Sequence, residues 1–160
     1  MKLLAHTLLM TLTAMAAPAV SYADCMGTPL NQRQLANVVR GNTVCGKPGL
    51  AYPGGASSSD RWQEQHRAAT SSSLTGELWD YKLGASTMDP TKLVGGWVVS
   101  GPVTDATIVH TYGSASFSWK VYGPFPNVPG VSIYSFCTAG AEHVKAFVLI
   151  GPVGCAGIFP

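Results

Sequence analysis

The stretch Ala115-Ser-Phe-Ser-Trp-Lys-Val-Tyr-Gly123 alternates strictly, with Phe117, Trp119 and Val121 on one parity and Ser116, Ser118, Lys120 and Tyr122 on the other. A period of two is the signature of a strand with one buried face, and it rules out a helix here. Around it, between Leu93 and Ile150, run further short apolar segments, each closed by Gly, Pro or a small polar cluster. Such punctuation predicts an antiparallel meander.

Taken along the chain, the strands are expected at Asn42–Cys45, Arg61–Ala69, Gly76–Leu83, Leu93–Ser100, Asp105–Tyr112, Ala115–Tyr122, Val131–Cys137 and His143–Ile150. One helix precedes them, with Thr28 as N-cap, Pro29 at its first position, Leu30, Gln34, Leu35 and Val38 on one face, and Gly41 as the stop. A twisted antiparallel sheet of eight strands closes readily, because closure removes its two exposed edges. The fold class is therefore all-β: an eight-stranded antiparallel up-and-down barrel with one short N-terminal helix, a β-sandwich being the alternative.

Met1-Lys2 followed by the apolar run to Ala17 reads as a secretory signal, with Ser21 and Ala23 as the small residues before a cut preceding Asp24. Residues 1–23 are then a signal peptide and 24–160 a single barrel domain. Asp24 stands where a lipoprotein needs a small residue before the modified Cys25, so no membrane anchor is expected after cleavage. Loss of Lys2 leaves nine Lys/Arg against eight Asp/Glu. That balance gives no electrostatic footprint for nucleic acid or an anionic membrane.

Cys25, Cys45, Cys137 and Cys155 all lie in the mature part, and an even number in an exported chain reads as two disulfides. No pair has zinc-knuckle spacing, no Cys-x-x-Cys occurs, and no metal or cofactor is expected. The strand Val144–Ile150 separates Cys137 from Cys155 by roughly 20 Å, whereas bridged Cα atoms lie within about 7 Å. If first and last strands close the barrel, Cys45 falls near Cys137 and Cys25 near Cys155, and those are the expected pairs, the sequence-local Cys25–Cys45 with Cys137–Cys155 being the alternative.

Trp62-Gln-Glu-Gln-His66 is the least ordinary stretch: Trp62, Glu64 and His66 share one strand face, with neither face apolar. The first reading is a solvated edge strand carrying a Glu64–His66 salt bridge. The second is a strand lining a polar cavity mouth, where Glu64 and a charged His66 orient a ligand beside Trp62. Trp79 and Tyr81 share a face in the next strand, read first as core and second as ligand wall. Trp97 and Trp119 complete the candidate walls. His110, alone among β-branched residues, reads as structural. No Gly-x-Ser-x-Gly elbow or phosphate loop occurs, so an enzyme ranks last.

Gly41-Asn-Thr-Val-Cys45, Trp62-Gln-Glu-Gln-His66, Gly76-Glu-Leu-Trp-Asp-Tyr-Lys82, Val94-Gly-Gly-Trp97 and Tyr134-Ser-Phe-Cys137 together resemble a group of small exported bacterial proteins of no assigned role. The plan is also similar to lipocalin-like barrels, which carry Gly-x-Trp at the first strand, whereas Gly95-Gly96-Trp97 stands near the fourth. Neither resemblance brings a catalytic residue. The expectation is a periplasmic or secreted, non-enzymatic protein holding a small, partly apolar ligand in the barrel mouth. The alternative is a protein-interaction module, such as an inhibitor of an exported enzyme, acting through the loops Gly46–Asp60 and Pro124–Gly130.

Overall fold

The computed structural model describes residues 25, 27–47, 62–80, 92–128 and 131–155. The expected signal segment, most of the 46–60 loop and Tyr81 lie outside the described residues. So do the side chains of Lys47, Trp62, 126–128 and Val131.

One helix, α1 (Gln32–Val39), is followed by β1 (Thr43–Lys47), β2 (Trp62–Ala68), β3 (Thr75–Asp80), β4 (Lys92–Ser100), β5 (Thr107–Tyr112), β6 (Ala115–Val128), β7 (Val131–Thr138) and β8 (Ala141–Leu149). Each strand pairs antiparallel with its neighbours in sequence, and β1 pairs with β8, so the sheet is a closed up-and-down barrel with no edge strand. The expected architecture is the observed one. A solvated edge at residues 62–66 is thereby excluded: β2 is paired on both sides, with β1 and β3.

The helix starts later than expected. Leu30 is core and its N–H donates to the Val121 carbonyl at 2.8 Å, so residues before Asn31 run against β6 instead of coiling. Asn31 is the N-cap: its Oδ1 accepts from the Gln34 N–H at 2.9 Å while Gln34 Oε1 accepts from the Asn31 N–H at 3.0 Å. Two reciprocal bonds satisfy donors that a lone Thr28 would leave open. Leu35, Ala36 and Val39 are then buried on one face and join the barrel core, closing one end of the barrel. At the helix exit, Gly41 N–H donates to the His66 carbonyl at 2.7 Å and His66 N–H to the Asn42 carbonyl at 2.9 Å. The helix therefore fixes the backbone of β2 at His66.

β6 does not stop at Gly123-Pro124. The ladder with β7 shifts register on either side of Phe125 and resumes to Val128, since Pro124 has no N–H to offer and the strand bulges around it. β5 begins at Thr107, two residues late, because Asp105 N–H is held by the Pro102 carbonyl in a turn.

Inward positions fill the lumen with Val44, Leu78, Trp97, Val99, Ile108, Val121, Phe136, Val144, Ala146 and Val148. Gly76 is what lets Trp97 in. It is the register partner of Trp97, and a Cβ there would sit 1.8 Å from the Arg67 carbonyl and 2.8 Å from the indole Nε1. The indole N–H uses that space to donate to the Arg67 carbonyl at 3.1 Å.

A second, smaller apolar cluster lies on the outside and contains Cys45, Ile133, Phe147 and Cys155. The chain turns at Gly151 (φ 82°) and doubles back as a strap over β1 and β2. Thr43 Oγ1 donates to the Gly151 carbonyl at 2.9 Å, and Gln63 Oε1 accepts from the Cys155 N–H at 2.9 Å.

The strap corrects the disulfides, which join Cys25 to Cys137 and Cys45 to Cys155. Cys45 pairs in register with Phe147 of β8, and Phe147 with Ile133 of β7. Cys137 is thus two strands across from Cys45 and four residues further along, about 13 Å by strand rise alone. The expected pairing needs β7 beside β1 and Cys155 beyond the barrel end, whereas β8 lies between those strands and the strap returns Cys155 to Cys45. Two bridges fit an oxidising environment. Among the described residues no helix is long and apolar enough to cross a membrane.

Candidate functional site

Towards the end opposite the helix the apolar lumen gives way to a polar chain. β2 places Glu64 and His66 inward and β5 places His110 and Tyr112 inward, by the same alternation that buries Leu78 and Ile108. His66 and His110 are fully buried and Glu64 is 4% exposed. His66 Nδ1 lies 3.2 Å from the Glu64 backbone carbonyl, and His66 Nε2 lies 3.0 Å from His110 Nε2. His110 Nδ1 lies 3.2 Å from the Tyr112 hydroxyl, whose oxygen is 2.8 Å from Glu64 Oε2. His110 Nδ1 and Glu64 Oε2 are 3.5 Å apart.

Glu64 and His66 therefore do line the interior, but not as an ion pair with each other. The His66 ring meets the Glu64 backbone, and the Glu64 carboxylate reaches across to β5. Nor is His66 charged: burial first, then His110 beside it, pushes it down from 6.5 to about 3. Burial does the same to His110, also to about 3. A charge on Glu64 would raise His66, but by less than burial lowers it.

Aromatic rings stand above this chain. Trp119 meets His110 edge-on with centroids 4.8 Å apart. Phe117, 47% exposed, stacks on Trp119 at 6.0 Å with the planes 10° apart. Tyr112 meets Phe117 edge-on at 6.0 Å, and the exposed His143 stacks on Trp119 at 6.0 Å and 30°. His143 reaches this rim through a bulge. Phe136 pairs with Val144 and Cys137 with Glu142, so His143 is an extra residue on β8, re-aimed inward.

The remaining expected walls divide. Trp119 is at the rim. Trp97 is 2% exposed and packs 5.9 Å from the His66 ring, so it belongs to the core beneath the chain. Trp79 is on the outer face: Arg67 lies over its ring at 3.9 Å and its indole N–H donates to Glu77 at 2.8 Å. Trp62 opens β2 and Tyr81 follows β3, and the rings of both lie outside the described residues. Not among the expected site residues are His110, expected only as structural, and Tyr112, Phe117 and His143. The first three were findable from parity, since His110 and Tyr112 share the inward face of Ile108, and Phe117 that of Trp119. A bulge leaves no such trace.

A separate cleft of about 430 Å³ lies at the helix end, lined by Asn37, Arg40, Gly41, Ala68, Thr70 and Ser71. Arg40 in this lining is engaged by the Ser71 and Ser73 carbonyls, so it is a structural tie of the helix to the β2–β3 turn. Among the described residues no three His, Cys, Asp or Glu side chains are placed to hold a metal ion. No protein-family model, curated protein or solved structure matches the chain.

Proposed function

We propose that this chain is exported by a signal peptide cleaved before Asp24, and that the mature barrel works in the periplasm or outside the cell as a non-enzymatic binding protein. Its ligand is small and partly apolar, and it is held at the end opposite the helix against Tyr112, Phe117, Trp119 and His143. The observation that carries this reading is Phe117, a half-exposed ring stacked in parallel on a buried indole and continuous with two further rings. Binding sites typically join such an apolar wall to a few fixed polar groups, and the Glu64–Tyr112 pair is fixed beside it. Titration calorimetry of the mature protein with small neutral aromatics, against Phe117→Ala, tests it. Binding by the wild type that the variant weakens supports the reading, and equal heats for both proteins sink it.

A second reading, a protein-interaction module, draws on exposed apolar residues near the helix end, where Ile150 is 90% and Val103 67% exposed. They are scattered singly in sequence, which is ordinary for a surface.

A further inference from the structure

The four contacts of the buried chain can be counted in protons. The Glu64 carbonyl only accepts, so His66 Nδ1 must carry a hydrogen to bond it. The two facing Nε2 atoms need one hydrogen between them. His110 Nδ1 and the Tyr112 hydroxyl need another, and Tyr112 and Glu64 Oε2 a fourth. Two neutral imidazoles and a phenol supply three. With an ionised Glu64, one of these four contacts sets lone pair against lone pair within the buried chain.

We propose that Glu64 is held as a carboxylic acid at neutral pH, so that the site presents an uncharged floor and takes an uncharged aromatic ligand carrying a hydrogen-bonding group. The chain then runs unbroken: the Glu64 O–H donates to the Tyr112 oxygen, the Tyr112 O–H to His110 Nδ1, His110 Nε2–H to His66 Nε2, and His66 Nδ1–H back to the Glu64 carbonyl. The fourth proton sits on the carboxyl because burial keeps both imidazoles neutral. A second feature favours the same outcome. Asp80 of β3 is the register partner of Glu64 on the same face, and like charges at directly opposed sheet positions are disfavoured. The other titratable groups near the chain among the described residues are Lys92, exposed and paired in register with Asp80, and His143 beyond Trp119.

The ligand half of this proposal rests on the binding reading above, whereas the proton half does not. Infrared spectroscopy of mature protein labelled with ¹³C-glutamate is expected to show a protonated-carboxyl C=O band at pH 7 that is absent from Glu64→Gln. No such band in the wild type overturns the proposal, and that measurement needs no variant to fold. Calorimetry with p-cresol, benzylammonium and benzoate is expected to give p-cresol at least tenfold tighter binding than either ion. Tighter benzylammonium binding means an ionised Glu64 and overturns it. If none of the three binds while the band is present, the acid stands and the binding reading is what fails.

Discussion

The Nε2 atoms of His66 and His110 lie 3.0 Å apart, although the residues belong to β2 and β5, which are separated by two strands in the sheet. Only closure of the barrel brings those inward faces together. The contact ties the helix end, which clamps the His66 backbone, to the aromatic rim, which packs on the His110 ring.

Both imidazoles are held down to about 3 in the fold, against 6.5 in an unfolded chain. As pH falls through 6.5 the unfolded chain takes up these protons and the folded one does not. The stability they lend is therefore full above pH 6.5 and is lost towards pH 3, by roughly 1 kcal/mol per pH unit for each histidine. The melting temperature is expected to fall between pH 6.5 and 4, and less steeply in His110→Gln. Parallel slopes for the two proteins contradict this.

Gly76→Ala is expected to be among the most damaging single changes. The added Cβ meets backbone at 1.8 Å, so β2 and β3 must separate or Trp97 must leave the Arg67 carbonyl. Overpacking together with a broken buried bond costs about 2 to 4 kcal/mol. Urea denaturation measures it, and a loss below about 0.5 kcal/mol would be that of an ordinary surface site.

The bridge from Cys45 to Cys155 spans 110 residues and pins the C-terminal strap over the outer cluster. Replacing both cysteines by Ala is expected to lose about 2 to 5 kcal/mol. Peptide mapping of non-reduced protein checks the pairing itself, and a Cys45–Cys137 peptide refutes the arrangement described.

Phe117→Ala is expected to spare stability, since the ring is half exposed, while weakening ligand binding by roughly 3- to 10-fold, the size of one aromatic contact. A melt and a titration on the same preparation separate the two effects.

Much of this fold was legible in the sequence because strand parity and turn residues are local. Ala115–Val121 alternates in the sequence as it does in the barrel, and all eight strands were placed, though their ends moved where backbone bonds competed, as at Asp105 and Gly123. The inward aim of Glu64 and His66 was legible for the same reason. What they touch was not, because it depends on strands brought together by closure. His110 reads as an isolated core residue until β5 stands across from β2. The disulfides failed on the same ground: one strand of error in adjacency, between β7 and β8, exchanges every partner. His143 is a bulged residue, and a period of two cannot place it.

A small neutral aromatic is expected to bind at the rim above the buried chain. Titrating p-cresol into ¹⁵N-labelled mature protein and following backbone amides by NMR tests it most directly. Saturable shifts are expected at Tyr112, Phe117, Trp119 and His143, with no comparable change at Arg40 or Ser71 in the helix-end cleft. Unmoved rim amides, or shifts confined to that cleft, would contradict it.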